Sequence, residues 1–422
     1  MDLKTASRYL NSFLNFERFS SLTGKTSWDL RTMRRLLRLF GHPEKDFFPV
    51  LIAGTKGKGS TGYFLETALV AAGIPVGFYS SPHLEDPRER IRIQGKTIGP
   101  KDWTWGLSRI RGRLSRKSQW RQADPITFFE VMTLLAMLLF KKNHCRIGIF
   151  EVGMGGRLDA TNVLNAKLAI LTPIHLDHEN ILGPTIAKIA CEKAAIIKPR
   201  AKVVVSPQVS AAQAVIRSVA VRQKAEIFPV KVRQDLEPGL KGDHQKMNAS
   251  AAWEAVRVLR EKFGWEIGPE GFSKAIRAQQ WPGRLESFFG RYRVLVDGAH
   301  NPVSIRALVR YLKQTGFPAS AVLIFGTSRD KNSYEMLRVL GRYFSTVILT
   351  RFANPRAQEL GTLAREARGL FGNIFPTGNT DSALELAFRL APKGGCILAT
   401  GSFYLVGEIR RILGQKKFRR KP

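Results

Sequence analysis

An apolar segment that runs directly into a glycine-rich turn constrains this chain more than any other feature. Residues 48–53 read Phe-Pro-Val-Leu-Ile-Ala, and residues 54–61 read Gly-Thr-Lys-Gly-Lys-Gly-Ser-Thr. Glycines let backbone N–H groups converge on an anion, and a following helix directs its positive end at the same point. Lys58 is placed to lie along phosphate oxygens, and Ser60 or Thr61 to hold a magnesium ion. The sequence predicts a strand, a phosphate-binding loop and a helix.

Two other interpretations of this turn stay open. The ordinary Walker spacing needs a glycine five residues before Gly57, where Ile52 stands, so the turn would be a shorter variant. Gly57, Gly59 and Gly62 also satisfy the G-x-G-x-x-G dinucleotide fingerprint, but the next predicted strand ends in Ser80-Ser81-Pro82-His83 rather than in an acidic residue. A lysine inside the turn suits a triphosphate better than a pyrophosphate. We therefore expect a nucleoside triphosphate, with a dinucleotide site or a turn without function as the alternatives.

Length and composition indicate a globular protein of two or three domains. The chain has 422 residues, 44% hydrophobic and 24% charged, and no apolar run reaches the length of a membrane helix. Three distant cysteines give neither a disulfide framework nor a zinc motif, which fits a reducing cytoplasm. We expect a cytoplasmic protein that has no membrane partner.

The formal net charge of +33 raises nucleic-acid binding as an alternative function. The cations are spread along the chain, with clusters at residues 31–38, 109–121 and 416–421. None of these clusters is interleaved with aromatic residues in the way that a base-stacking surface requires. We expect no nucleic-acid partner, and explain the charge by solvated basic faces or by attraction of polyanionic small substrates.

Strand and helix patterns alternate along the chain in two series. The first, over residues 48–205, predicts a mostly parallel α/β sheet whose motif residues fall at the carboxyl ends of its strands, where such sheets bind ligands. The sequence Trp281-Pro282-Gly283-Arg284 breaks the pattern, and a second α/β series starts at residue 294. The predicted fold is a P-loop-type, mostly parallel ATPase domain over residues 1–287 and a smaller Rossmann-like α/β domain over residues 288–422. Residues 415–422 are expected to be disordered.

A set of short motifs in a fixed order carries a resemblance to a known family. The motifs lie at residues 9–12, 15–17, 54–61, 80–84, 89–91, 127–130, 151–162, 176–178, 182–183, 192–194, 244–248, 282–286, 297–302, 330–331 and 401–408. Each motif is weak alone, and together they are highly specific. Over nearly its whole length the chain resembles the folylpolyglutamate synthases and bacterial bifunctional dihydrofolate synthases, members of the Mur ligase superfamily.

The resemblance implies a set of site residues. ATP would be bound by Gly54, Thr55, Lys56, Gly57, Lys58, Gly59, Ser60, Thr61, Asn248, Arg284, Asp297 and His300. Magnesium would be bound by Ser60, Ser81, Glu151 and His178, and catalysis would use Lys58, His178 and a carbamylated Lys193. The pterin or other substrate would contact Thr127, Phe128, Phe129, Leu158, Asp159 and Ala160. A monovalent cation is a further expected cofactor.

Simpler interpretations stay open for several of these positions. Mg²⁺ prefers oxygen ligands, so His178 is also explained as a loop histidine satisfied by its neighbours. Glu151 suits a structural salt bridge as well as a metal, and a lysine on a helix, such as Lys193, faces solvent by default. Phe128 and Phe129 would by themselves be assigned to the core.

The chain departs from the family pattern at three places. Lys56 stands where the family commonly has asparagine, residues 85–88 read Glu-Asp-Pro-Arg, and Ala195 replaces a usual glycine. The second departure touches a substrate-facing loop and bears on pterin specificity.

The resemblance implies an ATP- and magnesium-dependent ligase that joins L-glutamate to dihydropteroate and to tetrahydrofolate or its polyglutamates. Transfer of the γ-phosphoryl group to a carboxylate gives an acyl phosphate that an amine can attack. Two anions must meet in this reaction, so the site needs magnesium, lysines and backbone donors. The alternatives are a folylpolyglutamate synthase only, a ligase of cell-wall precursors, and a nucleic-acid binding module. We expect a monomer that acts on small molecules.

Overall fold

The first part of the chain forms a mostly parallel sheet. A computed structural model describes residues 1–16, 29–115, 125–277, 281–416 and 418–420. Its first sheet contains β1 (Phe48–Ala53), β2 (Val76–Tyr79), β3 (Ile91–Ile93), β4 (Lys96–Thr97), β5 (Ile147–Glu151), β6 (Leu168–Leu171), β7 (Lys202–Val205) and β8 (Glu226–Pro229). The strand order is β4-β3-β2-β5-β1-β6-β7-β8, and β3 and β4 at one edge are antiparallel to their neighbours.

Helices cover both faces of this sheet. They are α1 (Leu3–Asn11), α2 (Arg31–Leu39), α3 (Lys58–Ala71), α4 (Pro100–Ser115), α5 (Phe128–Lys142), α6 (Glu179–Leu182), α7 (Ile186–Ala194), α8 (Ser210–Arg222), α9 (His244–Phe263) and α10 (Pro269–Arg277). In β1, Val50 and Ile52 pack with α3 and α9, whereas Leu51 and Ala53 belong to the core that contains α5. Successive strand residues point to opposite faces, so a strand buried on both faces reads as a continuous apolar run.

The second part of the chain forms another α/β unit. Its strands are β9 (Glu286–Phe289), β10 (Arg293–Asp297), β11 (Val322–Phe325), β12 (Thr346–Thr350), β13 (Asn373–Thr377), β14 (Cys396–Thr400) and β15 (Arg419–Arg420), in the order β13-β12-β11-β14-β10-β9-β15. Its helices are α11 (Pro302–Gln314), α12 (Ser333–Gly341), α13 (Leu360–Ala367), α14 (Thr380–Leu390) and α15 (Phe403–Gln415). β10 to β14 run parallel, and β9 and β15 are antiparallel additions at one edge.

The two sheets confirm the predicted fold class. The sequence patterns missed α1, α2, α4, α6, α8 and α10 and several short strands. The prediction of disorder over residues 415–422 was wrong in part, because Arg419 and Arg420 pair with β9. The division at residues 287 and 288 stays a prediction, and it falls within β9, which pairs with β10.

Some predicted features lie outside the described residues. These are Glu17 in one family motif, residues 116–121 of one basic cluster, and residues 417 and 421 of another. Within the described ranges, no helix combines the length and the apolar character needed to cross a membrane.

Candidate active site

The carboxyl ends of four neighbouring strands form the edge where the candidate site lies. β2, β5, β1 and β6 lie side by side and parallel. In the same order they lead to Ser81, to Glu151, to the loop of residues 54–61 and to the segment of residues 172–178. Parallel strands bring these ends to one edge of the sheet. Hydroxyl, carboxylate, lysine and histidine side chains that are far apart in sequence therefore meet there.

Two glycines allow the loop to pack closely on its neighbours. Gly54 and Gly57 have φ values of 152° and 85°. A Cβ on Gly54 would lie 1.9 Å from Thr172 Oγ1, and a Cβ on Gly57 would lie 2.2 Å from Asn248 Oδ1. Only glycine combines this backbone conformation with these approaches. The loop is therefore held against the segment after β6 and against α9, which supplies Asn248.

Hydrogen bonds fix the remaining loop residues. The Thr55 hydroxyl donates to the His175 carbonyl and accepts from the His175 N–H, both at 3.0 Å. Lys58 Nζ donates to the Gly54 carbonyl at 3.2 Å, so its side chain folds back over the loop. Thr61 N–H donates to the Gly57 carbonyl at 2.8 Å in the first turn of α3. A helix N-terminus thus opens directly at a glycine-rich turn, which is a favourable place for phosphate.

Glu151 is a buried carboxylate beside this loop. Its Oε2 accepts from the Ser81 N–H at 3.2 Å, and its Oε1 lies 4.0 Å from Lys58 Nζ. Burial raises the pKa of Glu151, and Lys58 opposes the shift. Ser60 is buried nearby on α3, and the buried hydroxyl of Thr61 has no hydrogen-bond partner in the described part of the chain. This edge offers oxygen ligands and an incompletely neutralised carboxylate to a cation.

Asp177 and His178 form a second polar group, which contacts the C-terminal unit. Lys331 Nζ lies 3.1 Å from Asp177 Oδ1. Burial alone would raise the pKa of Asp177, but Lys331, His178 and His300 outweigh burial and hold it well below its usual range. Burial lowers the pKa of His178 to about 4. Its imidazole is therefore neutral near pH 7 and has a lone pair available for a metal.

Lys193 is buried rather than facing solvent. It lies on α7 and is 5% exposed. A Cβ on Gly156 would lie 3.0 Å from Lys193 Cα, so the glycine-rich loop after β5 packs on the backbone of this helix. Burial, followed by repulsion from Lys58, lowers the pKa of Lys193 to about 7. The default interpretation of a solvated helix lysine is therefore wrong.

The predicted magnesium ligands make different local contacts. Glu151 and Ser81 lie together, whereas His178 lies beside Asp177. Among the described residues no group of three or more His, Cys, Asp or Glu side chains lies close enough to hold a metal ion. Mg²⁺ usually keeps water and substrate phosphates as ligands and needs only one or two protein carboxylates. The residues around Glu151 therefore fit magnesium that arrives with a nucleotide.

Thr127, Phe128 and Phe129, predicted to contact substrate, start α5. Thr127 forms a capping box with Glu130: its hydroxyl donates to Glu130 Oε2 at 2.8 Å and accepts from the Glu130 N–H at 3.1 Å. The ring of Phe129 lies 5.8 Å from that of Tyr79. Phe128 lines a cavity of about 220 Å³ between α1 and the loop of residues 83–88. Thr127 therefore has a local structural role. Phe128 is 2% exposed and belongs to the core, as the simpler interpretation expected, although it also lines this cavity.

Asp159 organises the loop after β5. Its Oδ2 accepts from the N–H groups of Gly153 and Met154, at 3.0 and 3.1 Å. Its Oδ1 accepts from the N–H and the hydroxyl of Thr161, at 3.0 and 2.6 Å. These four donors use the lone-pair sites of a carboxylate. Burial raises the pKa of Asp159, and the same donors oppose the shift. Contact of Asp159 with a pterin stays a prediction, as do contacts of its neighbours Leu158 and Ala160.

Arg284 lies just before β9, Asp297 ends β10, and His300 follows it. Asp297 accepts from the N–H groups of Leu285 and Ala299, both at 3.0 Å, and burial raises its pKa against the pull of Arg284. The guanidinium carbon of Arg284 lies 4.5 Å from the centre of the Phe403 ring. Burial lowers the pKa of His300 to about 3. Glu151 is buried and Arg284 is partly buried, and the charge of Arg284 opposes the rise in the pKa of Glu151 that burial causes.

Three polar residues of this region were given no role from sequence. Asp177 lies in the motif of residues 176–178 and Lys331 in the motif of residues 330–331. An acid in one family motif and a base in another was the sequence signal for their pairing. Arg410, on α15, pairs with Glu286 at 2.7 Å and also with Glu85. The departing stretch that starts at Glu85 therefore contacts the second unit, which no local pattern predicts.

Comparison with known proteins identifies the family. Residues 283–403 match the model described as the Mur ligase, glutamate ligase domain. The dihydrofolate synthase/folylpolyglutamate synthase of Bacillus subtilis is 32% identical to this chain, over 91% of this chain and 94% of that protein. This chain belongs to the folylpolyglutamate synthase family of Mur ligases. It is an ATP-dependent ligase.

Similarity to other folylpolyglutamate synthases supports the same family assignment. The folylpolyglutamate synthase of Lacticaseibacillus casei is 32% identical, over 91% of this chain and 94% of that protein. The structure of Mycobacterium tuberculosis folylpolyglutamate synthase complexed with ADP and AMPPCP matches with a TM-score of 0.87 and 30% identity, covering 98% of both chains. The likeness extends over both sheets, so this chain has both units of the family fold.

Proposed function

We propose that this ligase adds L-glutamate to dihydropteroate, giving dihydrofolate, and to tetrahydrofolate or folylpolyglutamates, through an acyl phosphate. One observation carries the proposal: the phosphate loop, Glu151 and Lys193 lie together at the carboxyl ends of the parallel strands. A carboxylate and a triphosphate repel each other, and their reaction needs such a concentration of cations and N–H donors.

The loop and the start of α3 would hold the phosphates through backbone N–H groups. Lys58 would stabilise charge that develops on the γ-phosphoryl group in the transition state. Asn248 and Arg284 would contact the nucleotide, and Asp297 and His300 would close over it. The γ-phosphoryl group passes to the folate carboxylate, the glutamate amine attacks the acyl phosphate, and inorganic phosphate leaves. The products are ADP, phosphate and an amide.

Ser60, Ser81 and Glu151, joined by His178, would hold magnesium, which neutralises charge between the phosphates and the folate carboxylate. The buried carboxylate of Glu151 supports this assignment, because burial raises its pKa and a nearby cation favours the ionised form. A monovalent cation is a further proposed cofactor.

Lys193 would act as a carbamate. A neutral lysine amine forms an N–C bond with carbon dioxide and loses one proton, which gives an anion. The lowered pKa of about 7 supports this step, because a substantial fraction of the amine is neutral near pH 7. The new anion would lie near the cationic Lys58 and help to position magnesium.

Activity on dihydropteroate rests on Thr127, Phe128, Phe129 and Asp159, which match pterin-site positions of bifunctional relatives. The cavity that Phe128 lines supports a substrate on this side of the site. The second candidate is a folylpolyglutamate synthase only, and the Lacticaseibacillus casei relative carries the name folylpolyglutamate synthase.

A substrate panel tests both candidates. Dihydropteroate, tetrahydrofolate and its diglutamate are each supplied with ATP, magnesium and labelled glutamate. We expect ADP and phosphate to form in step with the amide, and only when every component is present. Release of AMP and pyrophosphate would exclude the acyl phosphate. Turnover of tetrahydrofolate without any turnover of dihydropteroate would leave the polyglutamate activity alone.

We also propose that the enzyme works as a cytoplasmic monomer on small anionic substrates, without nucleic acid or membrane. The net charge of +33 supports attraction of polyanionic folates and ATP. In this proposal residues 1–287 bind ATP and carry catalysis, and residues 288–422 form the ligase domain that closes over the nucleotide.

A further inference from the structure

Lys56 joins the phosphate loop to the second α/β unit. Its Nζ donates to Asn301 Oδ1 and, at 2.5 Å, to Ser304 Oγ. Both acceptors belong to the N-terminus of α11, where Asn301 is the N-cap residue and accepts from the Ser304 N–H at 3.0 Å. A residue that departs from the common family pattern therefore ties the nucleotide loop to a helix of the other unit.

General electrostatics does not explain this contact. A cation near a helix N-terminus faces the positive end of the helix dipole. Burial lowers the pKa of Lys56 to about 7, Asp177 opposes that shift, and Arg284, Arg306 and Lys331 add to it. The contact instead depends on its two oxygen acceptors, of which Asn301 is 8% exposed. These hydrogen bonds to Asn301 and Ser304 require a donor on a side chain about as long as that of lysine.

We propose that Lys56 is a positioning residue that holds α11, together with the His300 segment that precedes it, against the phosphate loop before nucleotide binds. The loop that receives the phosphates and the segment that closes over them are then already aligned. Nucleotide affinity is reduced by the fraction of molecules that are not in the binding-competent arrangement, so a preformed contact raises it. Asparagine at position 56 is far too short to reach α11.

Lys56→Asn tests the proposal with the residue that relatives commonly carry. We expect the Kd for AMPPCP, measured by calorimetry, to rise about fivefold to tenfold, as loss of a population-shifting contact predicts. The KM for ATP should rise by a similar factor, with a smaller fall in kcat. Small-angle scattering of the nucleotide-free protein should give a larger radius of gyration. Lys56→Arg keeps a long cationic donor and should restore most of the affinity.

The acceptor side offers a matched pair of variants. Ser304→Ala removes one acceptor of Lys56. Ser382→Ala removes a serine at the same place in α14, where Asn379 is the N-cap and accepts from the Ser382 N–H at 2.8 Å. Ser304→Ala should weaken AMPPCP binding and Ser382→Ala should not. In the presence of Lys56→Asn, Ser304→Ala should have little further effect, because both changes remove one contact.

Two results would overturn the proposal. Unchanged AMPPCP affinity and radius of gyration in Lys56→Asn would show that the contact does not position the units. A large fall in kcat at unchanged AMPPCP affinity would make Lys56 a catalytic residue instead. The proposal rests on ATP binding but not on the folate substrates, because AMPPCP binding and scattering need no folate. A negative substrate panel would therefore leave these measurements interpretable.

Discussion

Replacing Glu151 with glutamine distinguishes two possible roles of this residue: a carboxylate that binds metal and one half of a structural ion pair. Glutamine keeps the shape of the side chain and can still accept from the Ser81 N–H, which lies 3.2 Å from Oε2 of Glu151 in the wild type. It removes the negative charge that faces Lys58. If the carboxylate exists to hold magnesium, activity should fall while the metal-free protein stays as stable as the wild type.

The structure sets the expected size of the stability change. At the 4.0 Å that separates Glu151 Oε1 from Lys58 Nζ, the attraction is about 1 kcal/mol in water and about 4 kcal/mol at an effective dielectric constant of about 20. Burying the carboxylate costs several kcal/mol, so the two effects are of similar size and opposite sign. We expect the Tm of Glu151→Gln to stay within about 4 °C of the wild type or to rise, since 1 kcal/mol corresponds to about 2–4 °C in a domain of this size.

Glu66→Gln is the matched control. Glu66 is fully buried on α3, but its Oε2 lies only 2.7 Å from Arg92 Nε. Glu66→Gln leaves the partly buried guanidinium of Arg92 without its counter-charge, and breaking a buried ion pair costs about 3–5 kcal/mol.

Differential scanning fluorimetry without magnesium should therefore show a large fall in Tm for Glu66→Gln and a fall of at most about 4 °C for Glu151→Gln. Magnesium-dependent turnover should fall at least about a hundredfold for Glu151→Gln alone. A Tm of Glu151→Gln as low as that of the control, with magnesium dependence retained, would refute the reasoning and make Glu151 a structural residue.

Three further predictions concern single side chains. Lys193→Met should stay folded and lose most activity, and native mass spectrometry of active wild type in bicarbonate should show the carbamate; an unmodified amine there would contradict it. Asp159→Asn places an amide donor against the Gly153 and Met154 N–H groups, so hydrogen exchange of that loop should speed up and activity on every folate should fall; loss confined to dihydropteroate would favour direct pterin contact. The pKa of His300 is about 6.5 in the unfolded chain and about 3 in the folded chain, so stability falls as the pH is lowered across this range. His300→Gln should make Tm depend less steeply on pH. An unchanged slope would exclude His300 as the source of this pH dependence.

The sheet edge was predictable because it depends on local patterns. An apolar run on β1, ending in glycines and lysines, defined the phosphate loop without any tertiary information. Glu151 ends another apolar run and Ser81 follows a third, so a parallel sheet brings them to the same edge. The burial of Lys193 could not be read in this way, since one lysine on a short helix gives no sign of which face packs.

Contacts between distant segments were not predictable. Lys56 with Asn301, Asp177 with Lys331, and Glu85 with Arg410 each join a residue of the first unit to one of the second. No spacing or periodicity relates residues that are 245, 154 and 325 positions apart. These pairs depend on how two finished sheets meet, which a single sequence does not encode in any short pattern.

A common electrostatic trend explains why this edge suits charged ligands. Burial shifts the pKa of Glu151 and Asp297 upward and the pKa of Lys56, Lys193 and His178 downward, so each moves toward its neutral form. Desolvation therefore dominates over mutual attraction, as expected where charged groups are buried without close partners. The pKa of Asp177 departs from this trend and is lowered, because Lys331 lies within ion-pair distance. An incoming nucleotide with its magnesium would supply opposite charges to Glu151, Asp297 and Lys56 and restore their ionised forms. Metal binding by His178 and carbamate formation on Lys193 would instead use the neutral forms. The same groups would then stabilise the ligands strongly while contributing little to the stability of the free enzyme, which is why isosteric neutral substitutions at this edge should reduce activity far more than they reduce Tm.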